Sequence, residues 1–165
     1  MNMATLHLMV GLPCSGKTTR AKELERELGA LRLTGDHWHL RLFGDDLGED
    51  YDTHNKRHQA IESIIWSVAA RALELGIDVI HDFGCWAREE RDAYKTKARA
   101  LGADCVIHYM NAPQDELFRR LVARNDSGEA AFHIPFDTMR EYCGHFQHPT
   151  TDELEGGLTV DIDIN

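Results

Sequence analysis

No stretch of this chain is apolar for long enough to cross a bilayer, and its start lacks the flanks of a signal peptide. Membrane-spanning and exported classes are set aside, and the cytoplasm is the expected location. Cysteine is scarce. Cys14, Cys85, Cys105 and Cys143 form no CxxC pair and no metal-like spacing, so free thiols are expected rather than a disulfide frame or a zinc knuckle. Positive charge is also short: 18 Lys and Arg stand against 28 acidic residues, the formal net charge is −10, and no basic run exceeds two. A protein that follows a polyanion needs a basic track to neutralise phosphates, so long nucleic acid is not the expected partner. Repeats, low-complexity tracts and interdomain linkers are lacking too, and 165 residues suffice for a single domain, 1–165, with a real core.

What is present is an alternation of short apolar runs with segments of helical period, which implies a parallel sheet covered by helices. Strands are expected at 6–10, 31–34, 77–82, 104–110 and 158–164. Helices are expected at 16–28, 54–75, 87–101, from Pro113 onward, and 136–146, the longest with Ile61, Ile64, Val68, Ala72 and Leu75 on one stripe. The acidic, Gly-bearing GDDLGEDYDT (44–53) reads as a surface loop. The expected fold is a doubly wound α/β domain with a five-stranded, mainly parallel sheet flanked by helices.

GLPCSGKTT (11–19) lies between the first strand and the first helix. Gly11 and Gly16 permit a tight turn that aims backbone N–H groups at a phosphate, Lys17 reaches the β- and γ-phosphates, and Thr18 suits Mg²⁺. Cys14, Ser15 and Thr19 complete the expected nucleotide contacts. Cys14, beside groups that bind anions, is either a thiol with a lowered pKa or a small residue chosen for fit. GTPases are excluded: the nearest base-reading motif, NKRH (55–58), lacks its aspartate, and in Asp82-Phe83-Gly84 the glycine falls one place early for DxxG. The same DFG triplet comes without the other signatures of protein kinases.

A phosphotransferase needs a base for the acceptor hydroxyl and a mobile arginine cover for the phosphates. Asp36, after the second strand, is placed to be that base, or the N-cap of the helix HWHLRLF, and the two roles are compatible. His37, Trp38 and His39 flank it, and Arg41 follows as a candidate for steering the acceptor. Asp82 closes the apolar strand VIHD as a second organiser of Mg²⁺. In FRRLVARN, Arg120 and Arg124 are four apart on one helical face, either as a lid or as a solvated face paired with Asp115 and Glu116. His54 and His58 are also four apart, but no third ligand stands at metal-site spacing, so surface or supporting roles are expected of them.

These segments together resemble the P-loop kinases that group with polynucleotide kinase, chloramphenicol phosphotransferase and zeta toxins. The likeness rests on GLPCSGKTT, GDHWHLRLFG, VIHDFGCWAREERD and HYMNAPQDELFRRLVARN, and covers the chain to about residue 150. It implies ATP·Mg²⁺ on Lys17 and Thr18, Asp36 as catalytic base, and Arg120 and Arg124 in a helical lid at about 113–147. It further implies that Arg88 or Arg91 lies near the substrate or lid, and that HPTTDE (148–153) lies against adenine. The expected activity is transfer of the γ-phosphoryl of ATP to a small-molecule hydroxyl, with Lys17, Asp36, Arg120 and Arg124 catalytic and Asp36, His37, Arg41 and Arg88 at the acceptor. The alternatives are an ATP-binding switch or slow ATPase acting through a protein partner, and a nucleic-acid 5′-hydroxyl kinase.

Overall fold

A strand that is apolar on both faces needs cover on both sides, and β1 (Thr5–Val10) is such a strand: Leu6, Leu8, Met9 and Val10 are all 0% exposed. The computed structural model describes residues 3–48, 50–128, 131–155 and 158–161, the last four as backbone. Around β1 stand β2 (Leu31–Thr34), β3 (Val79–Asp82), β4 (Asp104–Asn111) and β5 (Leu158–Asp161). All pairs are parallel and the order is β2-β3-β1-β4-β5, as expected of a doubly wound sheet. Residues 162–164 of the expected last strand lie outside the described residues.

Side chains alternate across this sheet. Met9, Ile80 and Met110 face α1 (Lys17–Leu28), which contributes Ala21 and Leu24 to a small core. Leu6, Leu8 and Val10 point the other way into the main core, against α3 (Tyr51–Glu74), α4 (Arg88–Ala100) and α5 (Gln114–Asp126). The remaining helices, α2 (Gly35–Phe43) and α6 (Phe136–His145), lie on the loops that leave β2 and α5.

Three boundaries differ from the sequence reading, each for a local reason. The side chain of Asp50 caps α3 by accepting from the Thr53 amide at 3.1 Å, so the helix starts inside the segment read as a loop. The buried stripe of α3 is Ile61, Ile65, Ala69, Ala72 and Leu73, while Ile64, Val68 and Leu75 are exposed, one step round the helix from the expected face. β3 begins at Val79 because the Ile77 amide turns back to the Ala72 carbonyl at 3.0 Å and the Asp78 carboxylate accepts from the Thr5 amide at 2.8 Å.

Candidate active site

The phosphate loop runs from the end of β1 to the first turn of α1. Gly16 caps α1 in the left-handed region at φ 92°, which a glycine adopts without strain. A Cβ on Gly11 would lie 2.6 Å from Ser15 Oγ and 3.0 Å from the Met110 carbonyl oxygen, so only glycine allows the loop to fold this tightly. The first turn of α1 has neither a side-chain cap nor an acidic residue, which leaves its amides and the positive end of its dipole open to an anion. Ser15 Oγ is buried without a partner, a polar atom that a phosphate oxygen or loop water would satisfy. Thr18 and Thr19 lie in this turn, Thr19 exposed.

Lys17 folds back to donate to the Leu12 carbonyl at 2.7 Å. Burial lowers its pKa, while Asp82 and Asp36 act in the opposite direction, so both carboxylates lie within electrostatic reach of the ammonium. Cys14 sits beside it with φ 65°. Its thiol pKa is raised by burial, and the neighbouring Arg124, Lys17 and Arg120 only partly offset that, the direction opposite to an activated thiol.

Asp82 is held at the end of β3, 5% exposed, by a 2.9 Å bond from Thr34 Oγ1, its register partner on β2; one carboxylate oxygen remains uncommitted. Asp36 is exposed in the first turn of α2. The cap of that helix is Thr34, so the N-cap alternative for Asp36 does not hold. Arg41 lies further along the same helix. Five residues at 100° each place it about 140° around α2 from Asp36, on a different face. His37 is exposed beside Asp36, Trp38 is half-buried against the core, and His39 is fully buried, so it does not line an open pocket.

α5 delivers its arginines to the loop. Arg120 pairs with Glu116 at 2.6 Å, as the solvated-face alternative expects, yet it also donates to the Cys14 carbonyl at 3.3 Å. Arg124 donates to the Phe132 carbonyl at 3.3 Å, and its Nε is buried without a partner.

Arg88 and Arg91 are engaged elsewhere. Arg88 donates to Thr150 Oγ1 at 2.9 Å and to Asp152 at 2.5 Å, so its guanidinium faces the C-terminal segment rather than an acceptor beside Asp36. Arg91 is 0% exposed: it pairs with Glu153 at 2.7 Å and donates to the Cys85 and Trp86 carbonyls, both at 3.0 Å. Residues 148–153, expected at adenine, include a 3₁₀ turn at Thr151–Glu153 that these arginines clasp.

Two features escape sequence reasoning. Trp86 donates its indole N–H to the Gly11 carbonyl at 3.2 Å and tethers the loop to the β3–α4 turn. The expectation that His54 and His58 lack a third ligand is also overturned, because packing brings His39 to them. Local spacing signals neither contact.

Thr18 and Asp82 have the hard oxygen donors that Mg²⁺ prefers, and the open α1 terminus with orphaned Ser15 Oγ suits a nucleotide phosphate. Among the described residues, no helix is long and apolar enough to cross a membrane.

Comparison with known proteins agrees with this geometry. The chain is 28% identical over 146 residues to shikimate kinase of Paracidovorax citrulli (strain AAC00-1), covering 83% of this chain and 72% of that protein. In fold it is similar to a candidate kinase of Chloroflexus aurantiacus j-10-fl, with a TM-score of 0.77 at 18% identity over 97% of this chain and 89% of the other. It is also similar to the APS kinase of Mycobacterium tuberculosis in complex with AMPPNP and APS, with a TM-score of 0.63 at 22% identity over 99% and 92%. The family described as AAA domain matches residues 6–149, most of the chain, including the loop after β1, Asp36, Asp82 and the arginines of α5, and the protein therefore belongs to that family.

Proposed function

We propose that the chain is an ATP- and Mg²⁺-dependent phosphotransferase that moves the γ-phosphoryl of ATP to a hydroxyl of a small molecule. One observation carries this reading: Lys17, opening the helix after β1, and Asp36, in the first turn of the helix after β2, both stand at the carboxyl edge of the parallel sheet, within electrostatic reach of one another. A carboxylate exposed beside a phosphate-binding lysine is what an attacking hydroxyl needs.

In this reading Lys17 and the first amides of α1 bind and orient the phosphates. Thr18 and Asp82 hold Mg²⁺, which supplies charge neutralisation when bound. Asp36 accepts the proton of the acceptor hydroxyl, and His37, exposed next to it, contributes to acceptor binding. Arg120, already bonded to the Cys14 carbonyl, and Arg124, within electrostatic reach of the Cys14 thiol, cover the loop, exclude water and offset charge developing on the phosphoryl oxygens. A relative named shikimate kinase and a fold neighbour named APS kinase support a small acceptor over a polymer, as does the net charge of −10.

The test is Asp36→Asn, assayed with labelled ATP and a panel of hydroxyl compounds. Loss of a general base lowers transfer by about 10²- to 10⁴-fold, with ATP·Mg²⁺ still raising the melting temperature. Transfer at the wild-type rate would refute the role of Asp36. Failure of every acceptor in the panel, with ATP-dependent capture of a protein instead, would favour the switch.

A further inference from the structure

A second constellation lies in the seam between α2 and α3. His39 comes from the second turn of α2, and His54 and His58 from the start of α3, four apart and so on one face. One ring nitrogen from each lies within 4.8 Å of one from each of the others. The ring centroids are 4.6 Å apart for His39 and His54, and 6.1 Å from each of these to His58.

Carboxylates stand against these rings. Asp46, 2% exposed, accepts from His39 Nε2 at 2.7 Å and His54 Nδ1 at 2.6 Å through one oxygen, and from Arg57 at 2.7 Å through the other. His58 Nε2 stands 3.6 Å from Glu62. An imidazole that gives one N–H to a carboxylate presents a lone pair on its other nitrogen. For His39 that other nitrogen, Nδ1, is buried with no partner in a side chain that is 0% exposed. A buried lone pair without a donor is unfavourable, and a cation on it removes the penalty. Aromatic rings also flank the cluster: Phe132 meets His39 and His54 edge-on, and Phe83 meets His58.

We propose that His39, His54 and His58 form a three-histidine site for a divalent transition-metal ion, zinc by its donor set, with Asp46 and Glu62 orienting the rings. Three imidazoles with an open fourth position suit tetrahedral Zn²⁺, and Asp46 fixes the tautomers of His39 and His54. Zinc–nitrogen bonds of about 2.0–2.1 Å place tetrahedral ligands about 3.3 Å apart, so small ring rotations bring the three onto one ion. The site is distinct from the oxygen donors Thr18 and Asp82. It joins two helices, and α2 carries Asp36 one turn before His39. Occupancy fixes the helix that bears that carboxylate, whatever the acceptor is.

The test uses the full-length, tag-free protein, stripped with a chelator and titrated with Co²⁺. The expected result is saturable uptake of one equivalent, with the visible bands of a tetrahedral nitrogen-rich site, displacement by Zn²⁺, and a melting temperature raised by Zn²⁺. His58→Asn, at a half-buried position, loses the bands and the thermal shift while the stripped protein keeps a cooperative urea transition. Glu62→Gln weakens uptake about 10- to 100-fold. Asp82→Asn leaves both unchanged. Absence of saturable uptake by the wild type overturns the proposal, as does uptake that survives His58→Asn. Loss of uptake in Asp82→Asn overturns it too, by moving the ion to the phosphate loop.

Discussion

Replacing Arg91 with Leu tests how much of the fold's stability passes through one buried ion pair. The guanidinium is 0% exposed and makes four bonds: to the two oxygens of Glu153 at 2.7 and 3.2 Å, and to the Cys85 and Trp86 carbonyls at 3.0 Å. Removing it leaves the Glu153 carboxylate, 3% exposed, with the Thr150 amide and hydroxyl and the Arg88 guanidinium at 4.0 Å, and strips two carbonyls of a donor. Breaking such a pair from one side costs about 3–5 kcal/mol. At about 2–4 °C per kcal/mol for a chain of this size, the melting temperature falls by about 6–20 °C. Arg91→Leu combined with Glu153→Leu removes the stranded charge and regains part of the loss, so a urea-denaturation cycle on the four proteins reads the coupling directly. The loss also depends on pH. Burial works against the Glu153 charge, but the bonds from Arg91 and Thr150 outweigh it and hold its pKa below the ordinary value. That contribution is present above the unfolded pKa of about 4.3 and disappears as pH falls through the lower folded value, so the gap between wild type and Arg91→Leu narrows in acid. A single-site loss under about 1 kcal/mol, the scale of a surface pair, would refute the reasoning.

Burial pushes the pKa of His81 down to about 3, so the unfolded chain binds the extra proton below pH ~6.5 and stability drops with pH toward that folded value. Urea midpoints at pH 7, 6 and 5 should show His81→Leu removing about 1.4 kcal/mol per pH unit from that slope. Lys17→Ala abolishes the thermal shift given by ATP·Mg²⁺. The apo protein loses no more than about 1 kcal/mol, the worth of the bond to the Leu12 carbonyl, because burial already disfavours the ammonium. Gly35→Ala puts a Cβ 2.4 Å from the Phe83 ring and costs about 1–3 kcal/mol in urea denaturation, since the ring cannot move without disturbing its 4.0 Å stack on His81.

The phosphate loop was legible because its requirements are local: two glycines, a lysine and a threonine at fixed offsets between a strand and a helix. Strand and helix positions were legible for the same reason, through periodicity. The phase of the α3 stripe was not, since Ile64 and Ile65 are equally apolar and only packing against the sheet selects Ile65. Arg88 and Arg91 resembled substrate-side arginines because their partners, Asp152 and Glu153, lie about sixty residues onward. Asp46 looked like one acid among several in a loop, and His39 like a neighbour of Asp36. Their burial follows from how α2 folds against α3, a tertiary event without a sequence period.

The indole bond of Trp86 has an optical consequence. The ring holds the Gly11 carbonyl on one side and packs at 4.7 Å against Tyr142 of α6 on the other, whereas Trp66 lies under Lys97 and beside Tyr94. Of the three tryptophans, Trp86 is therefore the one whose emission is wired to both the phosphate loop and α6. Trp86 emission is expected to change when nucleotide fills the loop, and with Trp38 and Trp66 replaced by Phe, stopped-flow mixing with ATP tests this without an added dye.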